Sequence, residues 1–291
     1  MAKLVFGCGY LGERVARQWR KAGHDVYAVT RREARARELA ELGICPVIGD
    51  VTESIRLPRI TSLETVLFAV ARDRLADKTL REVYVQGLQN ALRALPDSLP
   101  RFLYISSTGV YGQRAGEWVD EDAPCEPCRE GGIACLAAER LLASDRLGSR
   151  ATVLRLGGLY GPGRIPQLPA LRAGKTLAVA GSGYLNLLHI DDAVRIVLAA
   201  EQHAQPPCCY VVADGHPVQR RDFYCEAARL LGLAAPRFEE PAAGSSAAAR
   251  AASSKRLVTA RMQRDLLSDL LYPSYREGLR SIVSEQGAGH S

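Results

Sequence analysis

Three clusters in this sequence have residue types and spacings suited to chemistry. Gly7-Cys8-Gly9-Tyr10-Leu11-Gly12 is a Gly-x-Gly-x-x-Gly run, the spacing with which bare backbone and a helix N-terminus hold a pyrophosphate. Thr30-Arg31-Arg32 follows, with Arg31 nineteen residues after Gly12. Dinucleotide sites that take NAD usually place an acid there, on the ribose hydroxyls. A guanidinium instead pairs with a 2′-phosphate that an acid would repel. The pattern therefore favours NADP(H), with NAD as second choice. The alternative is that Arg31, Arg32, Arg35 and Arg37 open a solvated helix. The third cluster, Ser106-Ser107-Thr108, sets three hydroxyls where they can hold a carbonyl or hydroxyl substrate.

The elements that must position these groups follow from apolar patterning. Residues 3–6 form a short apolar run, 13–22 a helix with Val15, Ala16 and Trp19 on one face, and 26–29 a second apolar run. Gly7 permits the tight turn off the strand, Gly9 lets backbone approach the phosphates, and Gly12 lets helix and sheet pack closely. Beyond them the pattern predicts helix over 33–42, strands at 45–48 and 65–70, helix over 79–95, a strand at 101–105, a loop over 116–129, helix over 133–143 and a strand at 152–156. Alternation of this kind specifies an α/β fold, a Rossmann-type doubly wound parallel sheet. Ligands bind at the C-terminal ends of such strands. This places Phe68-Ala69-Val70 near the phosphates and Ser106 and Ser107 at the reacting end. Asp50, with Val51 after it, stands at another strand end, either meeting the adenine amine or capping the next turn.

The remainder is less regular. It predicts short helices at 166–173 and 193–201, the latter capped by Asp191 or Asp192. A last strand at 210–213 returns to the sheet, and a helix covers 221–231. Residues 241–254, mostly Ala, Ser and Gly, predict a mobile loop or weak helix. A final short helix follows Tyr275, and 287–291 are expected to be disordered.

The chain has 291 residues, 47% hydrophobic and 24% charged, as suits a soluble globular protein. No apolar stretch approaches the ~20 residues of a membrane span, and the first strand begins too early for a signal peptide. Eight cysteines, one inside the glycine turn, suggest reduced thiols in a cytoplasm. A net charge of +6 without a basic, aromatic-interleaved run excludes a nucleic-acid partner and favours an anionic cofactor. Cys125-Glu126-Pro127-Cys128 has metal or redox spacing, but no fourth ligand is near in sequence, so no metal is expected.

Taken together, the glycine turn, Gly49-Asp50-Val51, Ser106 to Gly112, Arg155 to Gly163 and His189-Ile190-Asp191-Asp192-Ala193 make the chain similar to the extended short-chain dehydrogenase/reductase superfamily, in its NAD-dependent epimerase/dehydratase branch. The resemblance implies a Rossmann domain over 1–165, its sheet completed by 187–213, and a smaller C-terminal substrate-binding domain over 166–291, with a cleft between them. It also implies that Ser107 stands at the family's catalytic Ser/Thr position, and that the helices at 79–95 and 133–143 pair subunits of a homodimer. The cofactor is then expected along Gly7, Gly9, Tyr10, Leu11, Gly12, Thr30, Arg31, Arg32, Asp50, Val51, Phe68, Ala69, Val70 and Ser106.

One departure stands out. The family's Tyr-x-x-x-Lys pair falls, counted back from Glu139, on Gly131 and Cys135, and none of the five lysines lies four residues after a tyrosine. Either Tyr111 or Tyr160 offers a phenol for proton transfer; the other reading of both is packing or hydrogen bonding at the domain junction. Arg155 reads as an internal partner rather than a substrate clamp, and His189 as a junction residue. The expectation is an NAD(P)-binding oxidoreductase or epimerase-like protein acting on a small hydroxylated or carbonyl substrate, such as a sugar nucleotide. The alternative is a dinucleotide-binding sensor or interaction module with little catalysis.

Overall fold

The computed structural model describes residues 1–73 and 77–288. Its central sheet is built from β1 (Ala2–Phe6), β2 (Asp25–Thr30), β3 (Cys45–Ile48), β4 (Leu63–Phe68), β5 (Arg101–Ser107), β6 (Ala151–Leu156) and β7 (Cys208–Val212). The strand order is β7-β6-β5-β4-β1-β2-β3, and the ladders of β1 with β2 and β4, β2 with β3, and β4 with β5 are parallel. All five residues of β1 are buried, as a parallel strand covered on both faces requires. Helices α1 (Gly12–Lys21), α2 (Glu33–Glu41), α3 (Gly87–Ala94) and α4 (Glu130–Ser144) alternate with the strands. This is the Rossmann-type α/β fold that the alternation predicts.

The chain forms two compact units that interleave in sequence. The first comprises Met1–Val110, Glu130–Arg155 and Val194–Tyr210; the second comprises Tyr111–Arg129, Leu156–Ala193 and the chain from Val211 on. The core of the first unit is aromatic and aliphatic, with Phe6, Phe68, Phe102 and Tyr104 packed on Leu4, Leu88 and Leu92. At the N-terminal edge of its sheet, buried Lys3 binds Glu201 (2.6 Å), Glu64 (3.2 Å) and Thr65 (3.2 Å), and Glu201 also accepts the Trp19 indole N–H (2.6 Å). The expected helix over 79–95 contains a π-turn, Glu82–Gln86, ahead of α3. A Cβ on Gly87 would lie 3.0 Å from the Val51 side chain, tighter than an ordinary contact, so glycine eases the close approach of this helix.

The second unit gathers Tyr160, Leu187, Phe223, Tyr275 and Leu279 into its own core. Its strands are two or three residues long. Gly158–Tyr160 pairs with Leu187–His189, and Glu117–Val119 with Lys255–Leu257. The stretch 116–129 is therefore not wholly loop: a partner 138 residues downstream in register, Lys255 on Glu117, makes it part of a ladder. Neither Asp191 nor Asp192 is an N-cap. Both lie inside the helix Ile190–His203, and Asp192 instead accepts the Leu271 and Tyr272 amides. The last helix, Tyr275–Ala288, is fourteen residues rather than short and takes in Gly287; residues 289–291 lie outside the described residues. The stretch 241–254 holds one short helix, Ser246–Ala251, capped by the Ser245 hydroxyl. Among the described residues, no helix is long and apolar enough to cross a membrane.

Candidate functional site

The turn between β1 and α1 is shaped by contacts only glycine allows. Gly7 has φ +86°, and a Cβ there would fall 2.5 Å from the Ala69 carbonyl; one on Gly12 would fall 2.3 Å from the Gly7 carbonyl. Gly9 differs, since a Cβ there would meet nothing within 4 Å. The backbone at Gly9 thus borders open space, and no side chain caps the N-terminus of α1. Uncapped helix amides beside bare backbone fit a pyrophosphate. Tyr10 packs under the Arg14 guanidinium, 4.3 Å from its ring centroid, and Leu11 is buried. The Cys8 thiol is pushed up to about 12, first by burial, and is inert.

Arginines and carboxylates alternate at the rim. Arg31 lies 3.7 Å from Asp50 and 3.3 Å from Asp73. Arg32 is exposed at the start of α2, and the Thr30 carbonyl accepts the Gly49 amide. Asp50 caps its own turn, accepting the Thr52 amide and hydroxyl at 2.8 Å each. Arg35, which the sequence reads as part of a solvated helix, reaches the glycine turn itself. It donates to the Cys8 carbonyl (3.1 Å), to Glu13 and to Glu38 (2.6 Å). Burial acts to raise the Glu13 carboxyl, but Arg35 and Arg17 outweigh it and hold it below its ordinary range. Arg35 stands in the first turn of α2, and only the fold brings it against the glycine turn. Phe68 turns its ring into the core against Phe6 and Tyr104, leaving only backbone at the end of β4 for a ligand. Ala69 lies against Gly7, Val70 is half-buried, and Val51 is buried.

At the end of β5 the two serines point to different tasks. Ser106 is buried and donates to Glu139 of α4 at 2.5 Å. Arg155 of β6 grips the same carboxylate with Nε (3.1 and 3.2 Å) and Nη2 (2.7 Å). Ser106 is therefore committed to the interior, and Arg155 is the internal partner expected. Ser107 accepts the Gly109 amide at 3.0 Å. That bond fixes its oxygen and leaves its O–H to donate. On α4, a Cβ on Gly131 would lie 3.9 Å from Leu80. Buried Cys135 sits within electrostatic range of the Tyr84 phenol, which burial raises.

In the second unit the Tyr111 side chain is buried, and its backbone carbonyl accepts Lys255 Nζ at 3.1 Å. Tyr160 lies deep in that unit's core between His189 and Phe223. Burial, then Asp214 and Asp192, raise its phenol, and its role is packing. His189 is buried, its ring tilted against Tyr272 with the centroids 3.9 Å apart, and accepts the Asp191 amide at Nδ1. Cys125 and Cys128 turn their thiols to the Ala123 and Glu126 carbonyls, at 3.7 Å each.

Comparison with known proteins adds to this geometry. The model of the NAD dependent epimerase/dehydratase family matches residues 4–213. Protein YeeZ of Escherichia coli (strain K12) is 37% identical over 159 residues, 54% of this chain and 56% of that protein, so the chain spans about half the length of such curated relatives. The 3-diazoavenalumate denitrifying reductase of a Streptomyces species is 31% identical over 261 residues, covering 81% of this chain and 84% of that one. The UDP-glucuronic acid 4-epimerase of Bacillus cereus, solved in complex with NAD, shares the fold with a TM-score of 0.79 at 18% identity, covering 98% of this chain and 99% of that one.

Proposed function

This chain belongs to the NAD-dependent epimerase/dehydratase family, and we propose that it is an NADP(H)-linked oxidoreductase acting on a small carbonyl or hydroxyl compound. The observation that supports the reading most is the bare backbone at Gly9 beside the uncapped start of α1, rimmed by Arg31, Arg32 and Arg35. A nicotinamide dinucleotide held there supplies or accepts hydride. The chain's own residues do the rest. The glycine turn binds the pyrophosphate, and Arg31 and Arg32 pair with the 2′-phosphate, Arg31 exchanging Asp73 for it. Arg35 keeps the Glu13 carboxylate neutralised so that it does not repel the phosphates. The Ser107 O–H, its oxygen fixed by the Gly109 amide, donates to the substrate oxygen.

The substrate class draws on the relatives. One is a reductase by name and one a UDP-glucuronic acid epimerase, so sugar nucleotides stand beside simple ketones and aldehydes. Calorimetry with NADPH and NADH tests the cofactor, and loss of reduced-nicotinamide absorbance across a carbonyl panel tests the reaction. No uptake of either nucleotide by folded protein overturns the proposal. Gly131 and Cys135 on α4 favour a second reading, a dinucleotide-binding sensor. Tight NADPH binding without turnover of any panel compound selects it.

A further inference from the structure

Gly131 and Cys135 give α4 neither a phenol nor an amine, yet a phenol reaches it from the helix before. The segment Glu82–Gln86 packs against α4, and Tyr84 is its middle residue. There the backbone widens into a π-turn, a departure from helix that recurs at functional sites. Both flanks of the turn are fixed. Ahead of it, Glu82 accepts the Thr79 amide (2.7 Å) and hydroxyl (2.8 Å), and the Thr79 hydroxyl accepts the Glu82 amide (3.1 Å), a reciprocal cap. Behind it, Gly87 lies against Val51, and Asn90 donates to the Val51 carbonyl at 2.9 Å. A Cβ on Gly131 would meet only Leu80, at 3.9 Å, so α4 brings no bulk of its own to that point.

The Tyr84 phenol lies where β4, β5 and α4 meet. Its oxygen accepts the backbone amide of Arg72, just past β4, with the Arg72 guanidinium in electrostatic range and Cys135 of α4 in range as well. Tyr104 of β5 is also in range. Two short tracks tie this point to the site. On one, Ala69 donates its amide to Phe6 at 2.8 Å and lies against Gly7, and the three residues from there to Arg72 span at most about 11 Å. On the other, Cys135 stands one helical turn from Glu139, about 6 Å along the axis, and Glu139 takes the Ser106 hydroxyl at 2.5 Å, beside Ser107. The helix α4 also packs on Thr108–Val110, which follow Ser107. All of these residues belong to the first unit, with the glycine turn. Tyr84 is half-buried. Burial, the largest influence, holds its phenol above the ordinary range, and the Arg72 amide pulls the other way, so the group carries its proton at neutral pH.

We propose that Tyr84 is the general acid of this protein, giving its proton to the substrate oxygen that Ser107 also holds; the proposal rests on the oxidoreductase reading above. As the carbonyl carbon takes hydride from the reduced nicotinamide, its π electron pair moves to oxygen. That oxygen takes the Tyr84 proton, and the O–H pair stays on the phenolate, which the Arg72 amide and guanidinium stabilise. Solvent then returns a proton to the phenolate. The substrate gains two electrons and two hydrogens, and the nicotinamide is oxidised.

Two arms test this on the full chain. In the first, N-acetylimidazole labels the phenols of nucleotide-free and NADPH-saturated wild type, and acetylation of Tyr84 is read by mass spectrometry. Labelling without nucleotide and protection with it is the expected result, other labelled tyrosines being unchanged. No labelling in the free protein, or equal labelling in both, overturns the proposal. In the second arm, Tyr84→Phe keeps the ring and removes only the O–H. General acid–base catalysis contributes roughly 10²–10⁴-fold. On the panel compound that wild type reduces fastest, kcat should therefore fall at least about 100-fold, with KM, NADPH affinity and melting temperature kept. A variant that keeps the wild-type rate makes the phenol structural and overturns the proposal; if the variant fails to fold, the labelling decides alone. Wild type that takes up no NADPH, or takes it up and reduces no panel compound, overturns the oxidoreductase reading and this proposal with it.

Discussion

Arg35 of α2 donates through Nη2 to the carbonyl oxygen of Cys8, 3.1 Å away inside the glycine turn. The same guanidinium binds Glu13 in the first turn of α1. Arg35→Ala therefore unmasks a carboxylate beside the phosphate site. It should weaken NADPH and NADH alike, because both carry the pyrophosphate. Loss of NADPH alone would move Arg35 to the 2′-phosphate.

Arg31→Asp separates the two cofactors. A charge-assisted contact contributes roughly 1.5–3 kcal/mol, so NADPH should bind about 10- to 100-fold more weakly. NADH should change little. Calorimetry of both nucleotides decides, and an equal loss removes Arg31 from the 2′-phosphate.

Gly7 and Gly9 should fail differently. Gly9→Val projects into open space, so nucleotide binding should disappear while the melting temperature holds. Gly7→Ala must accept φ +86° and a 2.5 Å approach to Ala69. A strained left-handed residue costs roughly 1–2 kcal/mol, so that variant should melt at least roughly 2–4 °C lower. A Gly9→Val protein that still binds NADPH would show that the nucleotide lies elsewhere.

Arg155 and Glu139 are a buried ion pair. Arg155→Leu leaves a carboxylate buried without its cation, at a cost of roughly 3–5 kcal/mol. The double variant Arg155→Leu/Glu139→Leu should recover much of that. Denaturant unfolding of the three proteins gives the coupling, and simple additivity would mean that the pair adds nothing beyond its members.

Asp214 gives a pH dependence. It is 2% exposed, and burial first, with Asp192 and Glu277 adding, pushes its carboxyl up to about 8. The native state thus keeps a proton that the unfolded chain releases near pH ~4. Stability from this group is full below that value and is lost as the pH rises towards about 8. Asp214→Asn should flatten the fall in melting temperature between about pH 5 and 8. An unchanged slope would assign the effect to another group.

How much of this was legible in the sequence depends on range. The glycine turn, the strand–helix alternation and the role of Arg155 follow from neighbours within a few residues or from strong periodicity, and the structure has them. The paired strands of the second unit are two or three residues long, too short for any period to register. Glu117–Val119 reads as part of a polar loop for that reason. The Lys255 contact joins residues 144 apart in sequence, and no local pattern announces it. Asp192 carries a helix-capping residue type at a helix start, yet its partners come from a segment 79 and 80 residues later.

That last contact bears on how the protein can be trimmed. Asp192 is fully buried, and both its oxygens are satisfied by backbone amides near the carboxyl end of the chain. Deleting everything from Leu271 onward would take both of these amides from a buried acid 79 residues upstream of the cut. Shortened versions made for crystallisation should therefore retain Tyr272, or remove the acid together with the tail.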